Sequence, residues 1–187
     1  MVEVDRGWAG ASAHRESLGR RGPDRVRWER GAAGEAIVGA LLNGIPGLLV
    51  LHDRAMPRRS ANIDHLVVAP TGVYVIDAKH YTGEPRADLV HGIRRLYVAG
   101  DDATELVDGV RWQARAVEAI IGEAGVPVHP VLCFVGSTWS ISNGLLIDGV
   151  GVTSPERLGV LLRSPGPLGT AAAAALHARL DAALAPA

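Results

Sequence analysis

The sequence of 187 residues contains little cysteine, few aromatic residues and no long hydrophobic run. Its single cysteine, Cys133, cannot form a disulfide within the chain, which argues against a disulfide-stabilised secreted fold. Aromatic residues make up only 4% of the chain, so aliphatic side chains must build the core. No run approaches 18 apolar residues, and the N-terminus lacks an apolar signal segment, so we expect a cytoplasmic protein with no membrane partner.

Charge of neither sign dominates, because the formal net charge is −1 at pH 7. This balance gives no global attraction to nucleic acid, but it leaves room for a local basic groove. Of the 19 basic residues 18 are arginine, and Lys79 is the only lysine. The lone lysine follows Asp77 by two residues at the end of an apolar run, a placement that asks for a chemical reason.

The chain length fits one domain preceded by an extension. Residues 1–27 are rich in Gly, Arg, Ser and Asp without a clear period, which predicts a flexible or loosely docked extension. Residues 28–187 predict the domain, which closes with an Ala-rich helix. The first helix is expected to start near Trp28 and to bury a stripe formed by Ala33, Ala36, Ile37, Ala40 and Leu41.

Strand and helix patterns follow the first helix in an irregular order. The predicted strands are 48–53, 63–69, 73–79, two within 86–100, 130–136 and 149–154. The predicted helices are 108–125 with Asp108 as N-cap, 154–164 with Ser154 as N-cap, and 170–184. This order predicts an α/β fold with a mixed sheet flanked by helices, and not a regular βαβ alternation.

Asp77 and Lys79 project from the same face of strand 73–79, because side chains alternate along a strand. Their positions lie roughly 7 Å apart at about 3.3 Å per residue. A charge pair on an otherwise apolar strand costs desolvation energy unless something compensates it. A structural ion pair is one explanation, and a functional site is the other.

Asp64 lies near the start of the preceding strand, in a similar apolar setting. If the hairpin loop is 71–72, Asp64 lies across from Lys79 and shares a face with Asp77. A three-residue loop, 70–72, places Asp64 on the other face unless a bulge intervenes. The sequence leaves both registers open.

Glu35 is a third acid, in the middle of the first helix beside the expected buried stripe. Three carboxylates and one lysine at one place suit Mg²⁺, which prefers oxygen ligands and keeps several waters. Such an ion polarises a phosphodiester and helps to make hydroxide from water. Lysine is a compact point charge that can orient the attacking water, a role for which the wide fork of arginine is less suited.

The segments "GEAIVGALL", "NIDHLVVAPTGVYVIDAKHYTGE" and "WQARAV" resemble the nuclease-related domain (NERD) family. That family belongs to the PD-(D/E)XK group of restriction-endonuclease-like nucleases, and the resemblance extends from about residue 28 to about residue 162. It implies a restriction-endonuclease-like mixed β-sheet flanked by α-helices. It also implies cleavage of DNA phosphodiester bonds with Mg²⁺ as cofactor, for which Mn²⁺ is expected to substitute.

The resemblance also implies roles for individual residues. Asp64 matches the first acid of the motif, Asp77 the second and Lys79 its lysine. The second acid is often Glu in the family, and the motif tolerates the shorter Asp. The remaining assignments are Glu35 as the acid of the opening helix, Gln113 as the glutamine of the helix after the sheet, and the carbonyl of Ala78 as a further metal ligand.

Other polar residues near these motifs have two readings each. Arg58 with Arg59, and Arg94 with Arg95, either contact DNA phosphates or carry ordinary solvated charge. His65 and His80 are interpreted as packing or rim residues rather than metal ligands. A homodimer is expected if one active site per chain is to cut both DNA strands.

Three hypotheses follow from the sequence. The first is a metal-dependent DNA endonuclease or nickase that uses the acids and Lys79. The second is a non-catalytic nucleic-acid-binding or assembly module that retains the nuclease fold. The third is a structural α/β domain in which Asp77 and Lys79 form only an ion pair, and acids lying far apart would support it.

Overall fold

The computed structural model describes residues 9–12, 15, 22–56, 61–122, 125–140 and 144–187. Within these ranges the chain forms a six-stranded mixed sheet, a three-stranded sheet and four helices, which confirms the predicted α/β class. The helices are α1 (Pro23–Asn43), α2 (Thr104–Ile121), α3 (Pro155–Leu162) and α4 (Thr170–Ala183). The strands are β1 (Leu49–Ala55), β2 (Asn62–Ala69), β3 (Gly72–His80), β4 (Pro85–Val90), β5 (Ile93–Val98), β6 (Asp101–Asp102), β7 (Val128–Val135), β8 (Leu145–Ile147) and β9 (Val150–Thr153).

The larger sheet has the strand order β1-β2-β3-β7-β9-β8. Strands β1, β2 and β3 form an antiparallel meander, whereas β7 runs parallel to β3 and β9 runs parallel to β7. The parallel crossover from β3 to β7 contains the small sheet β4-β5-β6 and helix α2. The C-terminal end of β3 is therefore central in the sheet, next to both β2 and β7.

Helices cover both faces of the larger sheet. On one face α2 and α4 pack over β-strand residues through a row of buried side chains spaced three and four apart. On the other face α1 and α3 pack over a second core cluster. The α2 residues of the first cluster are Val107, Val110, Ala114, Val117 and Ile121.

Helix α1 buries a different face from the one predicted. The expected stripe points to solvent, and Ile37 is 47% exposed. The buried side carries Val38 and Leu42 together with Gly34 and Gly39, whose missing Cβ atoms let the helix lie close to its neighbours. A Cβ at position 34 would come within 3.2 Å of the His80 Cβ, so glycine sets the distance between α1 and β3. The prediction failed because close packing here uses glycine instead of large apolar residues.

Two of the four predicted helix starts are correct and two are wrong, and α4 begins at Thr170 as expected. Ser154 caps α3 as expected, because its side chain accepts the Arg157 backbone N–H at 3.5 Å. Asp108 is not an N-cap, because α2 begins four residues earlier, where Asp102 accepts the Thr104 N–H at 2.9 Å. Helix α1 begins at Pro23, so the boundary expected after residue 27 falls inside a helix.

Part of the expected N-terminal extension packs on the domain. Residues 9–12 run along α1, where Gly10 has a φ of +83° and a Cβ on it would lie 2.9 Å from the Ala32 carbonyl oxygen. A Cβ on Gly39 would lie 2.3 Å from that of Ala9. This segment thus reaches the end of β1 beside the candidate site.

Candidate active site

The charged pair predicted from the sequence lies at the C-terminal end of β3. Lys79 Nζ is 2.6 Å from Asp77 Oδ1, and the two side chains are 27% and 11% exposed. Burial alone would lower the pKa of Lys79, but the carboxylates of Asp77 and Asp64 raise that pKa above its ordinary value. The ammonium therefore stays charged at the edge of the site.

Asp64 lies opposite Asp77 because of the register of the β2–β3 hairpin. The loop consists of residues 70–71, and continuation of the ladder aligns Asp64 with Asp77. Both loops considered from the sequence are therefore wrong, and Asp64 is not across from Lys79. The alignment nevertheless brings the two acids of the motif to neighbouring positions on adjacent strands, so the separation of acids that would support the structural hypothesis is not seen for this pair.

The Asp64 carboxyl group is buried beside β3. Its Oδ2 accepts the Ala78 backbone N–H at 2.8 Å, and the aligned position on β3 carries Asp77. Burial raises the pKa of Asp64 well above its usual value, and the charges of Asp77 and Glu35 raise it further, against the effect of Lys79. Burial and the neighbouring acids thus favour the neutral form of Asp64, and a divalent cation can take the place of its proton.

Glu35 reaches the same group of charges from α1. Its side chain is 7% exposed, and its Oε2 is buried without a hydrogen-bond partner among the described residues. Burial raises the pKa of Glu35 to about 7; the charge of Asp53 raises it further, Lys79 opposes this and Asp77 adds to it. An acid with an unpaired buried oxygen is suited to accept a proton or a cation.

The donor set fits Mg²⁺ through two carboxylates. Asp64 and Asp77 supply oxygen only and lie at aligned positions of adjacent strands, and Mg²⁺ is commonly held by one or two carboxylates with water in the remaining positions. Glu35 contributes the unpaired oxygen nearby. Within the described ranges no three His, Cys, Asp or Glu side chains already form a group that could hold a metal ion. The arrangement is therefore a two-carboxylate site with a third acid beside it.

Asp53 is an acid of this region that the sequence reading missed. The β1–β2 register aligns it with Asp64, so that Asp53, Asp64 and Asp77 follow one another across three strands. Its φ of +49° is a left-handed conformation that costs about 1 kcal/mol in most residues and is tolerated best by Asn and Asp. The signal was present, since Asp53 ends the apolar run "LLVLHD" as Asp77 nearly ends its own.

The Asp53 carboxylate is bound by Ser12 and Asn62 instead of Lys79. Ser12 donates to it through both its backbone N–H and its hydroxyl, the latter at 2.8 Å from Oδ1. Asn62 Nδ2 donates to Asp53 Oδ1 at 2.6 Å and to Ser12 Oγ at 2.8 Å. Asp53 is 1% exposed, and these donors compensate its buried charge.

Gln113 lies on α2 and contacts the first residue of β2. Its Nε2 donates to the Asn62 carbonyl oxygen at 3.0 Å, and its Oε1 is buried with no partner in the part of the chain that the structure describes. The predicted role of Gln113 stays a prediction. The contact does place an unpaired acceptor two residues along β2 from the position of Asp64.

The four arginines proposed for DNA contact differ in what surrounds them. Arg58 and Arg59 lie outside the described residues. Arg95 pairs with Asp102 at 2.8 Å, whereas the exposed Arg94 donates to the Leu146 carbonyl oxygen at 3.4 Å and has no salt bridge among the described residues. Arg94 is therefore the more available of the two for a phosphate, and DNA contact by either stays a prediction.

The two histidines next to the acids do not face a common site. His65 is fully buried, its Nδ1 lies 2.9 Å from His52 Nδ1, and burial with the charge of His52 lowers the pKa of His65 to about 3. His80 is partly buried next to Gly34. Packing is thus the role of His65 seen here, as expected.

Comparison with known proteins places this geometry in a family. The mixed sheet, with acids and a lysine at the end of a central strand, is consistent with a nuclease-like α/β domain. The profile of the nuclease-related domain (NERD) family matches residues 30–135, more than half of the chain. The chain belongs to this family, as its quoted segments predicted. No curated protein and no solved structure matches the chain.

The match also separates covered from uncovered parts of the chain. Gln113 and the acids at positions 35, 53, 64 and 77 fall within it, whereas Ser12 and α4 fall outside.

In the described residues no helix is both long and apolar enough to cross a membrane.

Proposed function

We propose that the protein is a metal-dependent DNA endonuclease or nickase that hydrolyses phosphodiester bonds. Membership of the nuclease-related domain family supports a nuclease-related function. The observation that carries the finer proposal is the alignment of Asp64 with Asp77 on adjacent strands, together with the Asp77–Lys79 pair at the end of β3. A divalent cation would compensate these buried acids, and it would also assist hydrolysis of a phosphodiester.

Asp64 and Asp77 would hold Mg²⁺, and Mn²⁺ is expected to substitute for it. The unpaired Oε2 of Glu35 and the carbonyl of Ala78 would be further oxygen ligands. Bound Mg²⁺ would supply charge that polarises the phosphodiester and favours ionisation of the attacking water. The residues would also exclude bulk water, since the three carboxylates are at most 8% exposed.

Lys79 would orient the attacking water and neutralise charge that develops on the phosphate oxygens. Its ammonium is held by Asp77, so its position is fixed before substrate arrives. Its raised pKa keeps it cationic over the whole physiological range. Gln113 would accept a hydrogen bond through its unpaired Oε1, from water or from a ligand in the site.

DNA is the proposed substrate, bound mainly through its phosphates. Arg94 is exposed on β5, and Arg58 with Arg59, which lie outside the described residues, are included from the sequence alone. Cationic side chains there would supply sequence-independent affinity that falls with salt. A cut in both strands would require two chains, so a homodimer is proposed for that outcome only.

A plasmid nicking assay with Mg²⁺, Mn²⁺, Ca²⁺ or EDTA tests the proposal. We expect nicking with Mg²⁺ and Mn²⁺, and its loss in EDTA and in the variants Asp77→Asn and Lys79→Ala. The exposed Asp88 on β4 offers a matched control, and Asp88→Asn should nick like the wild type. Thermal unfolding of each variant checks that lost activity is not lost folding. Wild-type rates in either site variant would contradict the proposal.

The alternative is a non-catalytic nucleic-acid-binding or assembly module with the same fold. The absence of a ready three-ligand group among the described residues favours it. Its signature would be salt-sensitive DNA binding in EDTA together with no nicking of supercoiled plasmid in any metal. The same assay therefore separates the two functions.

A further inference from the structure

Ser12, Asp53 and Asn62 form a small buried network next to the acids of the candidate site, which we call the brace. Asp53 accepts hydrogen bonds from both the backbone and the hydroxyl of Ser12, and one from the Asn62 amide. The Asn62 amide also donates to the Ser12 hydroxyl at 2.8 Å. The brace joins residues separated by as many as 50 positions in the chain.

The brace fixes Asn62 at both ends of that residue. Its side-chain amide is bound to Asp53 and Ser12, and its backbone carbonyl accepts from Gln113 Nε2 at 3.0 Å. A carbonyl oxygen can only accept, so the Gln113 amide must present nitrogen to it. The Gln113 oxygen is then directed away from Asn62, and it is the buried acceptor that lacks a partner in the described ranges.

Docking of the N-terminal segment delivers Ser12 to this place. A Cβ on Gly10 would lie 2.9 Å from the Ala32 carbonyl oxygen, and a Cβ on Gly39 would lie 2.3 Å from that of Ala9, so the segment lies close to α1 at residues 32 and 39. These helix positions flank Glu35 on α1, one turn away on either side. The segment that supplies the brace therefore also lies along the helix turn that carries an acid of the site.

We infer that Ser12, Asp53 and Asn62 are positioning residues, which hold Gln113 so that its oxygen accepts a hydrogen bond from water or a hydrated cation at the acids. This inference rests on the proposed function. It adds that the N-terminal segment, which lies outside the family match, completes the site. None of the three brace residues is required to touch substrate.

NMR can observe the side-chain amide of Gln113 directly. Gln113 is the only glutamine of the chain, which also has three asparagines. Its two amide N–H signals therefore form one of four side-chain amide pairs in a nitrogen–proton correlation spectrum. The pair of signals that is missing from the spectrum of Gln113→Glu is assigned to Gln113. We expect Ser12→Ala and Asp53→Asn to shift this pair and to speed its exchange with water about tenfold, because its restraint is weakened. The conservative Ser12→Thr should keep the wild-type peaks.

Kinetics and metal binding then test whether positioning matters. We expect Ser12→Ala to lower kcat for nicking about tenfold, to leave KM for plasmid within twofold, and to weaken Mn²⁺ binding. Ser12→Thr, which keeps a hydroxyl at this position, should have the kcat, KM and Mn²⁺ affinity of the wild type. Ser164, whose hydroxyl bonds only to the Val160 carbonyl on α3, gives the control Ser164→Ala, which should behave as wild type.

Each outcome decides the inference. Unchanged Gln113 peaks in folded Ser12→Ala and Asp53→Asn would overturn it. Shifted peaks with unchanged kcat and Mn²⁺ affinity would also overturn it, because the brace would then be structural only. If the wild-type protein does not nick DNA, the proposed function fails. The amide peaks and the Mn²⁺ affinity then judge the brace without reference to activity.

Discussion

Glu35 is the residue whose titration should be visible in the stability of the metal-free protein. Its pKa is raised from 4.5 to about 7, so the folded state holds the proton more tightly than the unfolded state. Its stabilising contribution is complete below pH 4.5 and is lost as the pH rises through about 7. The linkage relation limits the slope that this one group adds to the free energy of unfolding to about 1.4 kcal/mol per pH unit.

Comparison of Glu35→Gln with the wild type isolates this effect from all other titratable groups, which the two proteins share. The free energy of unfolding is measured by urea denaturation in EDTA. Relative to the wild type, that of the variant should increase as the pH rises from 4.5 to 8. Saturating Mg²⁺ should remove the difference in slope, because a cation favours the carboxylate. Glu118→Gln, at an exposed position of α2, serves as control. Parallel pH curves for Glu35→Gln and wild type would contradict the assignment.

Single residues of the site differ in how far the sequence could predict them. Asp77 and Lys79 were predictable, because their common face depends only on the alternation of one strand. The position of Asp64 depended on a hairpin loop that differed by one residue from the loops considered. Asp53 could have been noticed as the acid that ends an apolar run, but its left-handed backbone and its contact with Ser12, 41 residues away, are tertiary features that the sequence does not show.

At the level of elements, the contact of α1 with β3 depends on glycine. Gly31 and Gly34 both lie within α1, but a Cβ at position 31 meets nothing within 4 Å, whereas one at position 34 lies 3.2 Å from the His80 Cβ. Gly31→Ala should therefore raise the free energy of unfolding by about 0.5–1 kcal/mol through helix propensity alone. Gly34→Ala should forfeit that gain, because α1 must move away from β3.

The same pair of variants reports on the site. Displacement of α1 moves Glu35, which follows Gly34, so Gly34→Ala should weaken Mn²⁺ binding while Gly31→Ala leaves it unchanged. Urea denaturation and calorimetric titration with Mn²⁺ measure the two effects. Gly109→Ala, at an open position of α2, gives a second control for helix propensity. Equal stabilisation by Gly31→Ala and Gly34→Ala, with equal Mn²⁺ affinity, would show that the close contact has no such role.

Helices and strands with a clear hydrophobic period were predicted well. Features that depend on close backbone packing were predicted poorly. The strands that became β2, β3 and β7 and helix α3 were found near their true positions, because each has a clear apolar pattern or cap. The buried face of α1 was missed because glycine has no hydrophobic signal. The two short strands β6 and β8 were also missed, since two or three residues carry no period.

Across the whole molecule, parts outside the family match support the edge strand that carries Asp53. Ser12 binds Asp53 from the N-terminal side, and α4 binds the next residue, Arg54, from the C-terminal side. Arg54 Nη1 lies 2.8 Å from Asp181 Oδ1 and donates to the Leu184 carbonyl oxygen at 3.0 Å. Residues beyond the matched range thus hold β1 in place against β2.

The Arg54–Asp181 pair should be worth far more than an exposed pair of the same length. The Arg54 side chain is 2% exposed, so Asp181→Ala removes an ion-pair partner from a buried guanidinium and should lower the free energy of unfolding by about 2 kcal/mol, somewhat below fully buried pairs because Asp181 is partly exposed. Arg95 and Asp102 also lie 2.8 Å apart but are 41% and 40% exposed, so Arg95→Met should cost less than about 1 kcal/mol. Arg54→Met in the Asp181→Ala background should recover stability, because it removes the buried charge. Urea denaturation of the four proteins measures these values, and equal losses for the buried and exposed pairs would refute this account of β1.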